Sequence, residues 1–344
     1  MKQRELGCTG ISVSEMCLGT MTFGTQTSEA DSHAQMDMAL DHGVQFWDCA
    51  EMYPVNPLSR ETQGDAERIL GNWFETTGRR GEVVLATKHS GEGYMNVRDG
   101  APITAETIPA AIEGSLARLK TDVIDLYQFH WPNRGSYMFR KNWTFDPSGQ
   151  NRAETIAHME DALGALQKEV ERGTIRAFGL SNESAWGTCQ WLQAAERVGG
   201  PRVASVQNEY SLLCRLYDTD MAEMSVNEDV GLLAFSPLAA GFLSGKYQGG
   251  QVPDGSRKSL VPEMGGRMTP RVLEAVAAYL AIAERHGLDP VHMALAWTLT
   301  RPFMGSSIFG ATTLGQLEHA LGAADVSLSS EVLAEIDAAH KAHP

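Results

Sequence analysis

The feature that most constrains the fold is a repeated alternation of short apolar segments with longer segments of helical periodicity. Eight apolar segments of four to seven residues recur along the chain. Their residues do not alternate strictly between apolar and polar, which is typical of parallel strands buried on both faces. The predicted strands are 16–19, 44–48, 83–88, 124–130, 175–181, 203–208, 231–236 and 306–311.

Helical periodicity marks most of the segments between these strands. A strand followed by a helix, repeated eight times, favours an α/β fold of the (β/α)8 TIM barrel type over a doubly wound sheet, which usually has fewer strands. The length of 344 residues suits a single barrel domain over 1–344, with residues 1–15 as a small cap or hairpin below it. The predicted helical segments are 28–42, 65–77, 104–120, 155–172, 184–197, 217–229 and 271–300, the last spanning two helices.

The charge and the apolar content exclude several classes of partner. The formal net charge is −15, whereas a nucleic-acid groove or an anionic membrane surface requires a basic face. Apolar residues make up 43% of the chain, but no run approaches the roughly 20 residues of a membrane helix. The first residues contain no continuous apolar core before a small-residue cleavage site, so we expect a cytoplasmic protein.

Four ionisable side chains, Asp48, Tyr53, Lys88 and His130, lie at or just after the ends of predicted strands, about one β/α unit apart. Carbonyl reduction needs a proton donor, a group that acidifies it and a group that orients the carbonyl, and these residue types can fill those roles. Taken singly, Asp48 could be a helix cap, Tyr53 a loop aromatic and His130 a barrel histidine. Lys88 closes an apolar strand and therefore requires a buried carboxylate such as Asp48.

Two segments are too long for simple βα loops. Residues 131–154 are rich in aromatic residues, and residues 246–268 are rich in Gly, Pro, Lys and Arg. Both follow strand ends, which would place them on the C-terminal face where barrel enzymes keep their active sites. The alternative is that they are solvated insertions without ligand contact.

Ordered motifs along nearly the whole chain resemble the aldo-keto reductase superfamily. The NEYSLL, SPLAAGFLSGKY and AEMYPV stretches look closest to its bacterial Tas-type members and, more remotely, to the potassium-channel β subunits. The strings that carry the resemblance are LGTMTFG (18–24), DCAEMY (48–53), ATKH (86–89), YQFHWP (127–132), GTIRAFGLSN (173–182), QNEYSLL (207–213), SPLAAGFLSGKY (236–247) and GATTLGQL (310–317).

The resemblance implies a (β/α)8 reductase that acts on a small-molecule aldehyde or ketone. Tyr53 would be the general acid, and Lys88, paired with Asp48, would lower the proton affinity of the tyrosine, while His130 would orient the carbonyl. A free tyrosine has a pKa near ~10, so a neighbouring cation is needed for efficient proton exchange at neutral pH. We expect the pocket walls to include three aromatic residues, Phe23, Trp131 and Trp143.

A nicotinamide dinucleotide is the implied cofactor. No GxGxxG follows the first strand, so the binding mode is not that of a Rossmann domain. The resemblance implies that Ser181, Asn182 and Gln207 hold the carboxamide and that Phe235 stacks on the ring. The other implied cofactor contacts are Gly19, Thr20, Met21, Ser236, Pro237, Leu238, Ala239, Gly241, Lys246, Arg257, Gly310, Thr312 and Gln316.

The sequence departs from the family in the adenosine-binding half. Phe235 replaces the usual Tyr or Trp, and His319-Ala320 replaces a common Glu-Asn pair that contacts adenine. Gln316 stands where many members place an arginine for the 2′-phosphate, which leaves Thr312, Gln316 and Arg257 as candidate contacts. We therefore expect NADPH as the cofactor, with a modest preference over NADH.

Other chemistries lack sequence support. There is no HExxH and no Cys/His cluster with zinc spacing, so no metal site is predicted, and His286 and His292 are interpreted as helix-surface residues. Two other functions stay open: a nicotinamide-bound sensor or regulatory protein with slow turnover, and a scaffold that retains only the barrel. The sequence does not indicate the oligomeric state or the natural carbonyl substrate.

Overall fold

Eight parallel strands form a closed barrel in the computed structural model, which describes residues 1–344. Around the barrel each strand pairs with its neighbour in chain order, and the last pairs with the first, so the predicted (β/α)8 TIM barrel is confirmed. The barrel strands are β3 (Met16–Gly19), β4 (Phe46–Asp48), β5 (Val84–His89), β6 (Ile124–Phe129), β7 (Ile175–Ser181), β8 (Val203–Glu209), β9 (Gly231–Phe235) and β10 (Met304–Phe309).

Eleven helices connect and cover the strands. Seven predicted helical segments are present, with the last divided into two helices as expected. Two C-terminal helices, α10 and α11, lie outside every predicted segment, and a short helix, α7, lies within the second long loop. The helices are α1 (Glu29–Asp41), α2 (Asp65–Thr77), α3 (Thr107–Leu119), α4 (Arg152–Arg172), α5 (Ala185–Val198), α6 (Asp220–Glu228), α7 (Arg257–Leu260), α8 (Val272–Arg285), α9 (Pro290–Leu299), α10 (Leu314–Leu321) and α11 (Ser330–Ala342).

Local sequence signals fix where these helices begin and end. The Asn151 side chain accepts hydrogen bonds from two backbone amides in the first turn of α4, and Gly173 ends that helix with a left-handed φ of 76°. Asp289 caps α9 in the same way, followed by Pro290 at the first helical position. Because α4 ends at a glycine, the chain can turn at once into β7.

An antiparallel hairpin closes the N-terminal end of the barrel. Its strands are β1 (Gln3–Glu5) and β2 (Ser12–Ser14), as expected for residues 1–15. Three of its apolar side chains, Leu6, Ile11 and Val13, pack against a layer that takes one residue from each barrel strand. With this end filled, the opposite end of the barrel remains for a ligand. The layer consists of Cys17, Phe46, Ala86, Leu126, Ala177, Ala204, Leu233 and Ile308.

The two long loops leave the C-terminal ends of β6 and β9. Residues 131–154 run from β6 into the start of α4, and residues 246–268 follow β9 and contain α7. Both therefore lie on the face expected from the sequence. None of the helices is long and apolar enough to cross a membrane.

Candidate active site

The four ionisable residues singled out in the sequence meet at the C-terminal end of the barrel. Asp48 is the last residue of β4, Lys88 lies near the end of β5 and His130 directly follows β6. Tyr53 lies on the loop between β4 and α2. Because neighbouring parallel strands end at one edge, the sequence spacing becomes spatial proximity.

Lys88 is the centre of this group. Its ammonium nitrogen donates to Asp48 Oδ2 at 2.6 Å, to the Cys49 carbonyl at 2.6 Å and to the Tyr53 hydroxyl at 3.4 Å. Burial is the largest single influence and acts to lower the pKa of Lys88, but its charge interactions and hydrogen bond with Asp48, together with Tyr53 and Cys49, outweigh burial and the pKa is raised. Lys88 is therefore a permanent buried cation beside the tyrosine.

The second oxygen of Asp48 is also engaged. Asp48 Oδ1 accepts hydrogen bonds from Gln128 Nε2 at 3.1 Å and from Gln207 Nε2 at 2.8 Å, and Gln207 also donates to Gln128 Oε1 at 3.1 Å. Gln128 was not identified from the sequence, although its position one residue before the end of β6 places it beside Lys88. Gln207, expected at the carboxamide, lies in the network that orients the carboxylate.

Tyr53 is held in its protonated form. Burial raises the pKa of Tyr53, and the positive charge of Lys88 opposes that shift only in part, so the pKa lies above its ordinary value. Lys88 thus acts in the direction expected from the sequence without reversing the effect of burial. A tyrosine in this state retains the proton that a general acid must donate.

His130 lies against Tyr53 as a neutral imidazole. The two ring centroids are 5.8 Å apart with an interplanar angle of 79°. Burial and the charge of Lys88 hold the pKa of His130 well below its ordinary value. Tyr53 and His130 keep 9% and 8% exposure whereas Lys88 has none, so only the first two can contact an incoming substrate. A hydroxyl and a neutral imidazole can together donate two hydrogen bonds to one oxygen.

Ser181, the last residue of β7, and Asn182, which follows it, form a hydrogen-bonded pair beside His130. Asn182 has a left-handed φ of 54°, and its Nδ2 donates to the His130 carbonyl at 2.9 Å and to Ser181 Oγ at 3.1 Å. Ser181 Oγ in turn donates to the Gln207 carbonyl at 2.8 Å. Asn182 Oδ1 is buried and has no hydrogen-bond partner. An unpaired buried acceptor costs stability, which a ligand amide N–H would recover.

The turn after β9 contains several of the expected cofactor contacts, and the Ala239 N–H donates within it to the Ser236 carbonyl at 2.8 Å. Phe235 is the last residue of β9 and is half-buried. Ser236, Pro237 and Leu238 follow, and Ser236 and Ala239 both have positive φ. Gly241 has φ 93°, a conformation that favours glycine, and a Cβ there would lie 2.7 Å from Lys246 Cε.

The remaining expected cofactor contacts lie at the ends of β3 and β10 and near the start of α10. A Cβ at Gly310 would lie 3.2 Å from the Gly19 carbonyl oxygen, so the ends of β3 and β10 are closely packed, with Thr20 and Met21 next in the chain. Gln316 Oε1 accepts from the backbone N–H and the hydroxyl of Thr312 at 3.0 and 3.1 Å. Thr312 and Gln316, both expected to contact the 2′-phosphate, are thus hydrogen-bonded to each other, and neither is hydrogen-bonded to Arg257.

Cations without carboxylate partners gather in the second long loop. The Lys246 and Lys258 ammonium groups lie 5.3 and 5.7 Å from the centre of the Tyr247 ring. Arg257 Nε is buried without a hydrogen-bond partner, and burial together with repulsion from Arg267 lowers the pKa of Arg257. Three cations without carboxylate partners on a chain of net charge −15 are suited to an anionic ligand.

A shared carboxylate joins the two long loops. Glu209, at the end of β8, accepts from Arg140 of the first loop at 2.7 and 2.5 Å and from Arg267 of the second loop at 2.9 Å. Arg267 also donates to Ser236 Oγ at 3.2 Å. Although Glu209 lies within the quoted QNEYSLL string, the sequence did not identify this bridge, because both partners come from loops.

The three expected wall residues have different surroundings. The Trp131 ring lies 5.0 Å from His130 and 6.3 Å from Phe139, between centroids, and a Cβ at Gly91 would clash with its indole at 2.4 Å. Phe23 is fully buried in the core, and Trp143 is 90% exposed. Trp131 is thus brought beside His130, whereas the Trp143 side chain is open to solvent.

Comparisons with known proteins agree with this geometry. A profile of the aldo/keto reductase family matches residues 15–341. The chain is 42% identical to Protein tas of Escherichia coli, over 100% of this chain and 99% of that protein. It is 32% identical to the uncharacterized oxidoreductase YrpG of Bacillus subtilis over 97% and 94%, and 30% identical to a probable voltage-gated potassium channel subunit beta of Arabidopsis thaliana over 95% and 92%. The chain belongs to the aldo/keto reductase family of oxidoreductases.

Proposed function

We propose that this protein reduces an aldehyde or ketone to an alcohol with NADPH as the hydride donor and Tyr53 as the proton donor. The observation that carries the proposal is the pairing of two accessible donors, Tyr53 and His130, with the buried cation Lys88 behind them. The proposal takes residues 1–344 as one domain.

Each residue of the group has a distinct role in this proposal. His130, neutral and next to Tyr53, donates a hydrogen bond that aims the carbonyl oxygen at the tyrosine hydroxyl. Tyr53 transfers its proton as negative charge develops on that oxygen. Lys88 stabilises the tyrosinate left behind, and Asp48 keeps Lys88 charged and in position. All this charge is arranged before the substrate arrives, which is the main source of electrostatic catalysis.

Features of this chain support a nicotinamide nucleotide as the cofactor. When bound, it would supply the hydride for the carbonyl carbon. The free Asn182 Oδ1, next to Ser181, can accept the carboxamide N–H. Phe235 offers a ring for stacking, and Lys246, which lies close to the turn after it, offers a cation to the pyrophosphate. Neither Lys246 nor Arg257 has a carboxylate partner, which suits phosphate binding.

The same residues set the preference for NADPH. A 2′-phosphate carries nearly two negative charges, and Arg257 is a half-buried arginine whose Nε has no hydrogen-bond partner. Gln316 cannot supply a second cation, and its carbonyl oxygen is already bonded to Thr312. We therefore propose NADPH as the preferred cofactor and NADH as a usable one.

A second function is a nicotinamide-bound regulatory or sensor protein with slow turnover. Relatives whose names describe probable potassium channel β subunits favour it, at 30% identity in Arabidopsis thaliana and in rice. The complete group of four ionisable residues favours the enzyme. A panel of aldehydes and ketones, assayed with NADPH and with NADH, decides between them by the number of turnovers. Many turnovers for at least one carbonyl support the reductase, whereas tight nucleotide binding without turnover on any substrate supports the sensor.

A further inference from the structure

Three potential metal ligands meet between α9 and α10, about one helical turn beyond Gln316. Asp289 caps α9, His292 lies in its first turn and His319 lies in the last turn of α10. One ligand atom from each side chain lies within 4.8 Å of the others. No zinc-ligand spacing is evident in the sequence because the second histidine comes from a different helix.

Hydrogen bonds hold two of these groups in orientations suited to a metal ion. Asp289 Oδ1 accepts from the backbone N–H groups of Val291 and His292 at 2.8 and 3.0 Å, while Oδ2 lies 2.9 Å from His319 Nε2. His292 Nε2 donates to the His319 carbonyl at 2.6 Å, which leaves the lone pair on Nδ1. Metal-binding histidines commonly donate their second nitrogen to a backbone carbonyl in this way.

Gly322 makes room for the His292 ring. Its φ is −58°, a conformation open to any residue, so the backbone does not require glycine here. A Cβ at this position would lie 2.8 Å from both Cε1 and Nε2 of His292. The absence of a side chain at Gly322 therefore leaves room for the His292 imidazole beside α10.

We propose that Asp289, His292 and His319 bind one zinc ion between α9 and α10. Two imidazole nitrogens and one carboxylate oxygen form a ligand set that zinc accepts, with water completing the tetrahedron. The His319 side chain is 46% exposed, so water can reach the fourth position. The ion takes the place of the proton between His319 and Asp289 and links the two helices.

The site can be tested by titrating the full chain with Zn²⁺ in a calorimeter and with Co²⁺ in a spectrophotometer. The background variant is Cys8→Ser, because Cys8 is the exposed cysteine among the five free ones. Asp289→Asn keeps a good helix cap while weakening the ligand, so it separates metal binding from folding. His292→Gln and His319→Gln remove the imidazoles. The matched control is His286→Gln, because His286 is also paired with a carboxylate, Glu335 at 3.0 Å, but has no third ligand.

The background protein is expected to bind one Zn²⁺ per chain. Asp289→Asn should weaken binding by roughly tenfold or more, each ligand histidine variant by more than that, and His286→Gln should leave it unchanged. Gly322→Ala, which displaces the His292 ring, should also weaken binding. The Co²⁺ complex should show only weak d–d bands. Absence of binding, equal binding by all variants, or an intense thiolate-to-metal band would overturn the proposal.

Discussion

The ammonium nitrogen of Lys88 lies 3.4 Å from the hydroxyl oxygen of Tyr53. The same nitrogen lies closer to Asp48 and to a backbone carbonyl, at 2.6 Å each, so the tyrosine is its loosest contact. That spacing leaves the Tyr53 hydroxyl free to turn toward a substrate oxygen. As its proton leaves, the developing tyrosinate would draw closer to the cation.

Replacement of Tyr53 by Phe should therefore slow the chemical step and little else. We expect kcat to fall by roughly 10²-fold or more, the scale of general acid catalysis, with unchanged NADPH affinity. Tyr127→Phe is the matched control, because Tyr127 is a fully buried tyrosine of β6 whose hydroxyl has no partner. Steady-state kinetics and nucleotide titration measure both effects. Near wild-type kcat in Tyr53→Phe would contradict the role proposed for Tyr53.

The buried Lys88–Asp48 pair predicts a large loss of stability when one partner is removed. Asp48→Ala leaves a buried charge uncompensated and should lower the free energy of unfolding by about 3–5 kcal/mol in urea titrations. The exposed pair Lys120–Glu75 is a control of similar distance, 2.5 Å, and Glu75→Ala should cost less than about 1 kcal/mol. Adding Lys88→Met to Asp48→Ala should recover much of the loss. If the double variant is no more stable than Asp48→Ala, the buried charge is not the cause.

The two tryptophans of the 131–154 loop differ in their surroundings, so their substitution should have different effects on the kinetics. Trp131→Ala should raise KM for bulky carbonyls because its ring lies beside His130, whereas Trp143→Ala should leave the kinetics unchanged because Trp143 is 90% exposed. Kinetics over a panel of carbonyls of increasing size measure the difference. A comparable rise in KM for Trp143→Ala would show that the 131–154 loop closes over bound substrate.

Arg257 predicts a salt-dependent preference for NADPH. Its charge-assisted bonds to the 2′-phosphate should favour NADPH over NADH by about 1–3 kcal/mol, and the preference should weaken as ionic strength rises. Arg257→Ala should reduce the preference for NADPH, and Gln316→Arg should increase it. The control is Arg197→Ala, which removes an exposed arginine paired with Glu160 and should leave the preference unchanged. Titration with both nucleotides at two salt concentrations is the measurement. Tighter binding of NADH than NADPH, unaffected by Arg257→Ala, would refute this account.

His89 predicts a loss of stability in mild acid. Burial, with a contribution from Arg98, lowers the pKa of His89 to about 4, against 6.5 for an unperturbed histidine. Between those values the unfolded chain binds a proton that the folded protein does not, so stability falls as the pH decreases. His89 should account for roughly 2 kcal/mol of the loss between pH 7 and pH 5. Urea titrations at both pH values measure this loss. Between pH 7 and pH 5 the free energy of unfolding of His89→Gln should fall by roughly 2 kcal/mol less than that of the wild type. An unchanged pH dependence would exclude His89 as a source.

The sequence predicted the barrel because its strands are apolar runs that the fold buries on both faces. It missed α10 and α11 although both bury apolar residues four positions apart, Leu317 and Leu321 in α10 and Val332 and Ile336 in α11. This spacing is typical of helices, so the periodic signal is present in the sequence. The alternation of strands and helices up to the eighth strand indicates the barrel without these two helices.

In the candidate site, the residues at strand ends could be predicted to lie together, whereas the contacts of loop residues could not. Asp48, Lys88 and His130 could be placed together because strand ends share an edge of the barrel, whatever the loops do. The exposure of Trp143 and the contacts of Glu209 depend on loop conformation, which has no periodic signature. The proposed metal ligands join two helices whose packing was not predicted.

The shared carboxylate of Glu209 has a consequence for altering substrate range. Replacing the first loop alone would remove Arg140 and leave Arg267 as the only partner of Glu209, while replacing the second alone would do the reverse. Either exchange would remove one of the two arginines that balance the charge of the Glu209 carboxylate, which has little contact with solvent. The two loops, distant in the chain, form a single unit for protein engineering and must be exchanged together.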